Sequence, residues 1–383
     1  MLKDKWRNLF GIVIVFMAVF KFYGDFFDMN SFSRYIMVLS LGLSTIMIAT
    51  DLKKFNIVHL FVFVLAGIQF VLSKNITMAY VYYLCLGLYT CDFRILVKWF
   101  MIFNAAFFSI YLVSNLLDIH PTEYLEGRND FGFGNPNSSF ICMFLIWSSY
   151  FYYVFYSKKK IDFLVLFLMA FLMYSQTITR TGLLTAIMTA LAFLILRKID
   201  VRKKKTAVII GIFPIFMSIL SILVALFGNG DYYLNKILSH RPLYWHSYIT
   251  HPTSGINLFG YTPNIRDILF SQRMPLDSGY IWTLYSMGII VFVVIIGFLC
   301  LAIYNLCREN QKDKVLLIVS ILIYCFAESI LVDIASNISI ILLVYGISKF
   351  DIRKIDFKKI SLSGIKFNKR KFKRAKNAKG SIS

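Results

Sequence analysis

Residues 278–306 read "SGYIWTLYSMGIIVFVVIIGFLCLAIYNL", and no side chain among them carries a charge. About 20 residues of α-helix cross the hydrocarbon core of a bilayer, so this stretch is long enough to span a membrane. Similar apolar stretches recur along the chain of 383 residues, of which 58% are hydrophobic and only 16% are charged. Soluble domains carry nearer a quarter of charged residues. The sequence therefore predicts an integral membrane protein with many helices.

The remaining apolar stretches set the number of predicted spans. We predict an all-α polytopic membrane protein with twelve membrane-spanning helices, near residues 8–27, 34–50, 56–72, 76–91, 95–117, 137–156, 161–175, 180–196, 206–228, 278–306, 314–332 and 335–348. They form one membrane domain over residues 1–348, and a basic tail follows at residues 349–383.

The positive charges predict the orientation. If the N-terminus is inside, then the N-terminus, the tail and alternate connections, counted with the adjoining helix ends, hold 32 of the 41 Lys and Arg residues. The opposite set, counted in the same way, holds eight, and Lys21 lies within a span. Cytoplasmic connections of membrane proteins carry such an excess, so both termini are expected in the cytoplasm. The formal net charge of +21 then reflects topology and not nucleic-acid binding. The tail is expected to lie near anionic membrane lipids.

Two connections on the predicted outer side differ from the rest, at residues 118–137 and 229–277. The second is the longest connection in the chain, and long connections of this kind usually carry function or are disordered. Its many Tyr, Trp, Leu and Pro residues argue against disorder. We expect it to fold against the membrane surface.

Arginines on the outer side run against the charge trend, because the inner side is dominated by lysine. The guanidinium group is a planar fork that suits phosphate and carboxylate. Each outer arginine could instead contact lipid headgroups or form a salt bridge with a nearby aspartate. As a set they favour an anion-binding outer surface: Arg34, Arg128, Arg180, Arg241, Arg266 and Arg273.

Two of these arginines lie beside predicted helix N-termini. Arg128 precedes "NPNSSF", where Pro136 or Asn137 is expected to begin the sixth span and leave free N–H groups facing outward. Such groups beside an arginine make an anion site. Arg180, in "SQTITRTG", lies at the N-terminal end of the eighth span, where a cation opposes the helix dipole at a cost of roughly 0.3–1 kcal/mol.

The stretch "LSHRPLYWHSYITHP", residues 238–252, gathers three histidines around Arg241. Because Pro242 is a favoured first helical residue, "PLYWHSYI" is predicted to form a short helix. His246 and His251 are candidate general bases, or interfacial residues packed on the neighbouring aromatics. Their spacing does not suit a metal site, and none is predicted. Trp245 fits an interfacial belt or a sugar-stacking platform.

Two carboxylates accompany this cluster. Asp277 and Ser278, in "MPLDSGYIW", are the candidate N-caps of the tenth span, and Asp277 could also accept a proton from a sugar hydroxyl. Glu328 is predicted near the outer end of the eleventh span. An ionisable group at that depth is a functional candidate, and an outer arginine is its expected partner.

The order of these motifs resembles a known family. An outer Arg before "NPN" is followed by "TRTG", then "LSHRPLYW", "LFGY" and "DSGYIWTLYSMGI", over residues 120–290. This is similar to the Wzy-type polysaccharide polymerases, which are related to the O-antigen ligases. The resemblance implies a GT-C-like membrane glycosyltransferase of bacteria with one large extracytoplasmic loop. It implies undecaprenyl-diphosphate-linked oligosaccharides as substrates, no cofactor, and a flippase and a chain-length regulator as possible partners.

Residues are assigned to this chemistry as follows. The diphosphate is expected to contact Arg180 and Arg241, with Arg128 and Arg266 in support, because fixed cations stabilise the charge that develops on a leaving group. The base is expected to be His246 or His251, with Asp277 as a further candidate. Contacts with sugar or other parts of the substrate are assigned to Asn137, Trp245, Tyr280 and Glu328.

Three other functions remain open. A flippase for lipid-linked sugars would also have many spans, but such transporters usually show two related halves, and no internal repeat is visible here. A polysaccharide ligase of the same superfamily would differ only in its acceptor. A structural partner in a polysaccharide export complex would need none of these residues for chemistry.

Overall fold

The computed structural model describes residues 2–26, 30–125, 127–261 and 274–350, and about three quarters of these residues are helical. The helices of the first half are α1 Leu2–Phe26, α2 Asn30–Ala49, α3 Ile57–Ser73, α4 Thr77–Leu88, α5 Phe93–Leu116, α6 Pro136–Val154, α7 Lys160–Thr177 and α8 Arg180–Lys198. Those of the second half are α9 Lys204–Gly211, α10 Phe213–Phe227, α11 Tyr232–Ile237, α12 Arg241–Thr250, α13 Gly279–Arg308, α14 Lys312–Tyr324 and α15 Ile341–Ser348.

Strand pairing in the described residues is confined to a small hairpin between α5 and α6. Its strands are β1, Tyr124–Leu125, and β2, Arg128–Asn129. They run antiparallel, with Tyr124 opposite Asn129 and Leu125 opposite Arg128.

Seven helical segments in the described part of the chain are long and apolar enough to cross a membrane: Lys5–Phe26, Phe32–Thr50, Phe93–Leu116, Lys160–Thr177, Arg180–Lys198, Lys204–Phe227 and Gly279–Arg308. Many of their large apolar side chains face outward from the bundle, as lipid-facing side chains do. The prediction of an all-α membrane protein is therefore confirmed. The count of twelve spans stays a prediction.

Connections that share a predicted side of the membrane also contact one another. On the predicted inner side, Arg7 bonds Asp51 at 2.7 Å, and the Nζ atom of Lys312 donates to the carbonyl of Ile199 at 2.7 Å. On the predicted outer side, Nη1 of Arg180 donates to the carbonyl of Lys236 at 3.3 Å. These contacts agree with helices that alternate in direction. Which end faces the cytoplasm stays a prediction.

The predicted eleventh span, residues 314–332, is wrong at its C-terminal end, because α14 ends at Tyr324. Residues 325–337 are not helical, although most of them are buried. Side chains satisfy part of this irregular backbone, as buried peptide groups require: Nδ2 of Asn337 donates to the carbonyl of Leu331 at 2.8 Å. Apolar length alone does not distinguish such a segment from a helix, so Glu328 lies in an irregular buried segment and not on a span.

Helix α13 is interrupted at Gly288, whose φ of 81° and ψ of 169° are accessible mainly to glycine. A Cβ atom there would lie 2.4 Å from the carbonyl oxygen of Leu258. The N–H group of Ile289 donates to the carbonyl of Asn257 at 3.0 Å. Residues 257–260 therefore pack into the break and supply the hydrogen bonds that the helix loses.

Candidate functional site

The predicted short helix around "PLYWHSYI" is present as α12, with Pro242 in its first turn. One face of α12 enters an apolar cluster shared with α10 and α13, formed by Ala225, Trp245, Tyr248, Leu276, Ile281 and Tyr285. Burial of these aromatic side chains fixes α12 against the bundle. The helix therefore holds Arg241 and His246 in defined positions.

Arg241 begins α12 and is buried between two carboxylates. Its Nη2 atom donates to Oε1 of Glu328 at 3.1 Å, and its Nε atom donates to Oδ2 of Asp277 at 3.3 Å. The side chains of Arg241 and Glu328 are 5% and 7% exposed, and that of Asp277 is 30% exposed. The expected partnership between Glu328 and an arginine of the predicted outer side is therefore present, and it ties α12 to the start of α13 and to residues 325–337.

The charges of this ionic cluster, Arg241, Asp277 and Glu328, do not cancel, since two carboxylates face one guanidinium. Glu328 follows the end of α14 and lies outside the seven candidate spans. Burial raises the pKa of its carboxyl group above the ordinary value; the guanidinium of Arg241 opposes this rise, and the charge of Asp277 adds to it. Two carboxylates bond Nε and Nη2 of this guanidinium, and the side chain of Arg241 is buried, so an incoming phosphate would have little access to it.

The two candidate bases both form a hydrogen bond through Nδ1, but they differ in which nitrogen carries the hydrogen of the neutral ring. Nδ1 of His246 lies 3.1 Å from the carbonyl oxygen of Ala225, which can only accept a hydrogen bond. Nδ1 of His246 therefore carries the hydrogen, and in the neutral ring Nε2 holds the lone pair that a general base needs. Nδ1 of His251 accepts from the backbone N–H of Ser254 at 3.2 Å. Its neutral ring therefore places the hydrogen on Nε2, so His251 is positioned to close a turn.

Arg180 begins α8, and its side chain is exposed. The side chain of Thr179, at the N-cap, makes no capping hydrogen bond to the first turn. The first N–H groups of α8 therefore keep their capacity to bind an anion beside the guanidinium. The half-buried Arg128 lies on β2, and β2 packs against α7, the helix that precedes α8. Arg128 thus lies on a strand that contacts α7, and Arg180 begins the helix that follows α7.

The N-terminal ends of α6 and α8 are close together. A Cβ atom on Gly182, in the first turn of α8, would lie 2.4 Å from the ring of Phe140 on α6. The expectation of free N–H groups at the start of α6 is only partly met, because Oδ1 of Asn135 accepts from the N–H of Asn137 at 2.8 Å. The positive ends of these two helix dipoles nevertheless lie on the same side of the bundle, which favours an anion there. We call Arg128, Arg180 and these two helix ends the cationic corner.

An apolar groove of about 410 Å³ runs between α6, α7 and α8 below this corner. Its walls carry aromatic and aliphatic side chains, among them Trp147, Phe151, Phe167, Phe171, Tyr174, Leu183, Ala190 and Leu194. Leu183 is one turn from Arg180 and Tyr174 lies in the last turn of α7, so the groove reaches the cationic corner. A charged rim above a hydrocarbon-lined groove suits an amphiphile with an anionic head.

Two of the predicted sugar contacts are fully buried instead. Trp245 is 0% exposed and packs edge-on against Phe326. Tyr280 is also 0% exposed, and its hydroxyl donates to the carbonyl of Leu322 at 2.9 Å. Both side chains pack inside the bundle, Trp245 against α10 and Tyr280 against α14, and no local pattern in the sequence indicates this burial.

Other assignments have different outcomes. Arg266 lies outside the described residues. Arg34 and Arg180 are exposed, and Ser278 is the N-cap of α13, with its Oγ atom accepting from the N–H of Ile281 at 3.4 Å. Among the residues that the structure describes, no group of three His, Cys, Asp or Glu side chains is placed to hold a metal ion.

The structure contains a second polar site that is not predicted from the sequence. Lys21 and Asp25 on α1 and Asp333 in the irregular segment line one cavity of about 340 Å³. A lysine within an apolar stretch was the available signal, since ionisable groups inside spans are costly and usually functional. Asp333 carried no such signal, because its place depends on the end of α14.

The fold and site define a helical membrane protein with a cationic corner over an apolar groove. No protein-family model matches the chain, and neither the curated proteins nor the solved structures contain a match to it.

Proposed function

We propose that the protein is a bacterial membrane polysaccharide polymerase. In this reaction a growing glycan leaves a polyprenyl diphosphate and is joined to the sugar end of a second lipid-linked repeat unit, at the outer face of the membrane. The observation that carries the proposal is the cationic corner above the apolar groove. Its two parts match the two parts of the donor, a diphosphate head and a long hydrocarbon chain.

The cationic corner would bind the donor diphosphate. One guanidinium about 4 Å from a phosphate oxygen contributes on the order of 4 kcal/mol at an effective dielectric constant near 20. Arg180 and Arg128, with the N-terminal ends of α6 and α8, would therefore stabilise the negative charge of the leaving group without a metal ion. Because the side chain of Arg180 is exposed, we assign Arg180 as the main contact of the diphosphate.

The apolar groove would hold the first isoprene units of the carrier. Burial of hydrocarbon side by side with aromatic rings keeps the chain aligned with the headgroup. The small side chains of Ala186 and Ala190 on α8 leave the space for it. A tryptophan at Ala190 would fill the groove, and this residue already faces outward from the bundle.

The chemistry requires a base for the acceptor hydroxyl. His246 has the suitable tautomer, since its Nδ1 bonds the carbonyl of Ala225 and leaves Nε2 to accept a proton. The acceptor oxygen would form the new bond to the anomeric carbon as the bond from that carbon to the diphosphate oxygen breaks. The proton would pass to His246, and polyprenyl diphosphate would leave with the electron pair.

This assignment changes the role of Arg241. Its guanidinium is buried and bonded to Glu328 and Asp277, so we assign it to positioning α12, which carries His246. Direct contact with the diphosphate is assigned to Arg180 and Arg128.

The test is polymerisation in proteoliposomes that contain lipid-linked repeat units extracted from a strain lacking the gene. Wild-type protein should lengthen the glycans, and Arg180→Ala and Ala190→Trp should slow the reaction at least tenfold. Arg34→Ala is the matched control, because it removes an exposed outer arginine from a different helix. In cells, loss of the gene should leave single repeat units on the carrier. Long unattached chains would instead identify a ligase.

A further inference from the structure

A second cavity, of about 340 Å³, lies between α1, α2, α4, α13 and the irregular segment 325–337. It differs from the apolar groove because both polar and apolar side chains line it. The polar side chains are Lys21, Asp25, Thr77, Tyr80, Ser329 and Asp333; the aromatic and aliphatic ones include Phe22, Val81, Leu84 and Trp282. We call it the amphipathic cavity.

The polar groups of the amphipathic cavity are held in place by neighbours. Nζ of Lys21 lies 3.4 Å from Oδ2 of Asp25. Oδ1 of Asp333 accepts from the N–H of Ala335 at 3.1 Å, which orients this carboxylate. The hydroxyl of Tyr80 lies 3.0 Å from Oγ of Ser40. An ionised carboxylate offers about four acceptor positions, so Asp25 and Asp333 can accept further hydrogen bonds from a ligand.

Trp282 gives the amphipathic cavity an aromatic wall. The indole is half-buried: it packs against the cluster that holds Trp245 and Tyr248, and it also lines the cavity. A fixed aromatic face beside hydrogen-bonding groups suits a ring that has apolar C–H faces and polar hydroxyl edges. Sugar rings have this character, whereas a prenyl chain cannot form hydrogen bonds with the polar groups.

The charges of this cavity also exclude the diphosphate. Lys21 contributes one positive charge, and Asp25 and Asp333 contribute two negative charges, so an anionic head is repelled. The cationic corner has the opposite sign. The cationic corner therefore suits an anion, whereas the amphipathic cavity suits a hydroxylated ring that is uncharged or carries an amino group.

The amphipathic cavity adjoins the ionic cluster at two points. Ser329, at the edge of the cavity, directly follows Glu328, and Trp282 lies in the first turn of α13 after Asp277. A ring bound in the cavity therefore lies beside the residues that position α12 and His246.

We propose that the amphipathic cavity binds a sugar ring of the lipid-linked acceptor, with Trp282 as its stacking wall and Asp333 and Asp25 as hydroxyl acceptors. This proposal rests on the proposed polymerase function for the identity of the ring as an acceptor. The binding of a sugar ring is a separate property and is tested separately.

The experiment uses full-length protein in nanodiscs and the free repeat-unit oligosaccharide, released from its carrier by mild acid. Binding is measured by saturation-transfer NMR. Trp282→Leu and Ser329→Trp should each weaken binding at least tenfold. Ser329 is exposed at the cavity edge, so the tryptophan fills the cavity without disturbing the core. Trp6→Leu, at a tryptophan that is 55% exposed and outside the cavity, is the control and should bind normally.

The same variants are then assayed in proteoliposomes for the Michaelis constant of each substrate. The acceptor constant should rise at least tenfold in Ser329→Trp while the donor constant is unchanged. Polymerisation with an unaltered acceptor constant would overturn the cavity proposal and leave the polymerase function standing. Oligosaccharide binding that depends on Trp282, in a protein that never polymerises, would uphold the sugar site and reject the polymerase function.

Discussion

The guanidinium of Arg241 and the carboxylate of Glu328 form a buried ion pair with an Nη2–Oε1 distance of 3.1 Å, across 87 residues of sequence. It joins a short helix of the long predicted outer connection to an irregular segment between α14 and α15. A buried pair of this kind is costly to form but more costly to break, because loss of one partner leaves an uncompensated charge. The pair therefore fixes α12 relative to the bundle.

Arg241→Ala should lower the free energy of unfolding by about 3–5 kcal/mol, because Glu328 and Asp277 then face each other without a cation. Glu328→Gln should cost less, since Arg241 keeps its bond to Asp277. The double variant should recover part of the loss of Arg241→Ala. Unfolding in detergent with increasing denaturant measures all three. A double-variant loss equal to the sum of the single losses would show that the two side chains are not coupled.

The loss of unfolding free energy caused by Arg241→Ala should also depend on pH. Burial and Asp277 raise the pKa of Glu328, and the substitution removes the guanidinium that opposes this rise. A carboxyl group whose pKa is higher in the folded than in the unfolded state binds more protons when folded, so stability grows as pH falls. The penalty of Arg241→Ala should therefore be smaller at pH 5 than at pH 8. A loss of unfolding free energy, relative to wild type, that is the same at pH 5 and pH 8 would argue against a raised pKa of Glu328.

Two glycines of α13 should respond in opposite ways to alanine. Gly288 has a positive φ, and a Cβ atom would contact the backbone of Leu258, so Gly288→Ala should cost at least about 2 kcal/mol. A Cβ atom on Gly297 meets nothing within 4 Å, and alanine is the better helix former by up to about 1 kcal/mol. Gly297→Ala should be neutral or stabilising. Equal effects in denaturant titrations would contradict the inserted position of residues 257–260.

Substitution of His246 should lower the turnover number much more than substitution of His251. His246→Asn keeps a donor toward the carbonyl of Ala225 but removes the base, so the turnover number should fall by about 10²–10⁴ with normal unfolding. His251→Asn replaces a turn-closing acceptor with a side chain that also closes such turns, so turnover should fall less than tenfold. Single-turnover assays in proteoliposomes measure both. A larger kinetic loss at His251 than at His246 would reverse the assignment.

The helical class and the start of several helices were accessible from sequence, because apolar length and capping residues are local properties. Pro136 begins α6 as expected, and the helix around Pro242 lies where the proline predicts it. The pairing of Glu328 with an outer arginine was also expected, since a charge at that depth needs a counter-ion.

The other features of the fold and of the site depend on contacts between distant parts of the chain. The end of α14 at Tyr324 and the break at Gly288 arise because other segments satisfy the backbone there, and no local pattern records this. An interfacial position is expected for Trp245 because aromatic residues are common at membrane interfaces, and a substrate contact is expected for Tyr280, whereas both side chains are buried against other helices. The amphipathic cavity joins residues that are more than 300 positions apart.

The most direct measurement is the affinity of the purified protein in nanodiscs for undecaprenyl diphosphate. Wild-type protein should bind this lipid, Arg180→Ala and Arg128→Ala should each weaken binding at least tenfold, and Arg34→Ala should bind as wild type does. Folded wild-type protein without affinity for the lipid, or equal affinity in Arg180→Ala, would contradict the assignment of the cationic corner.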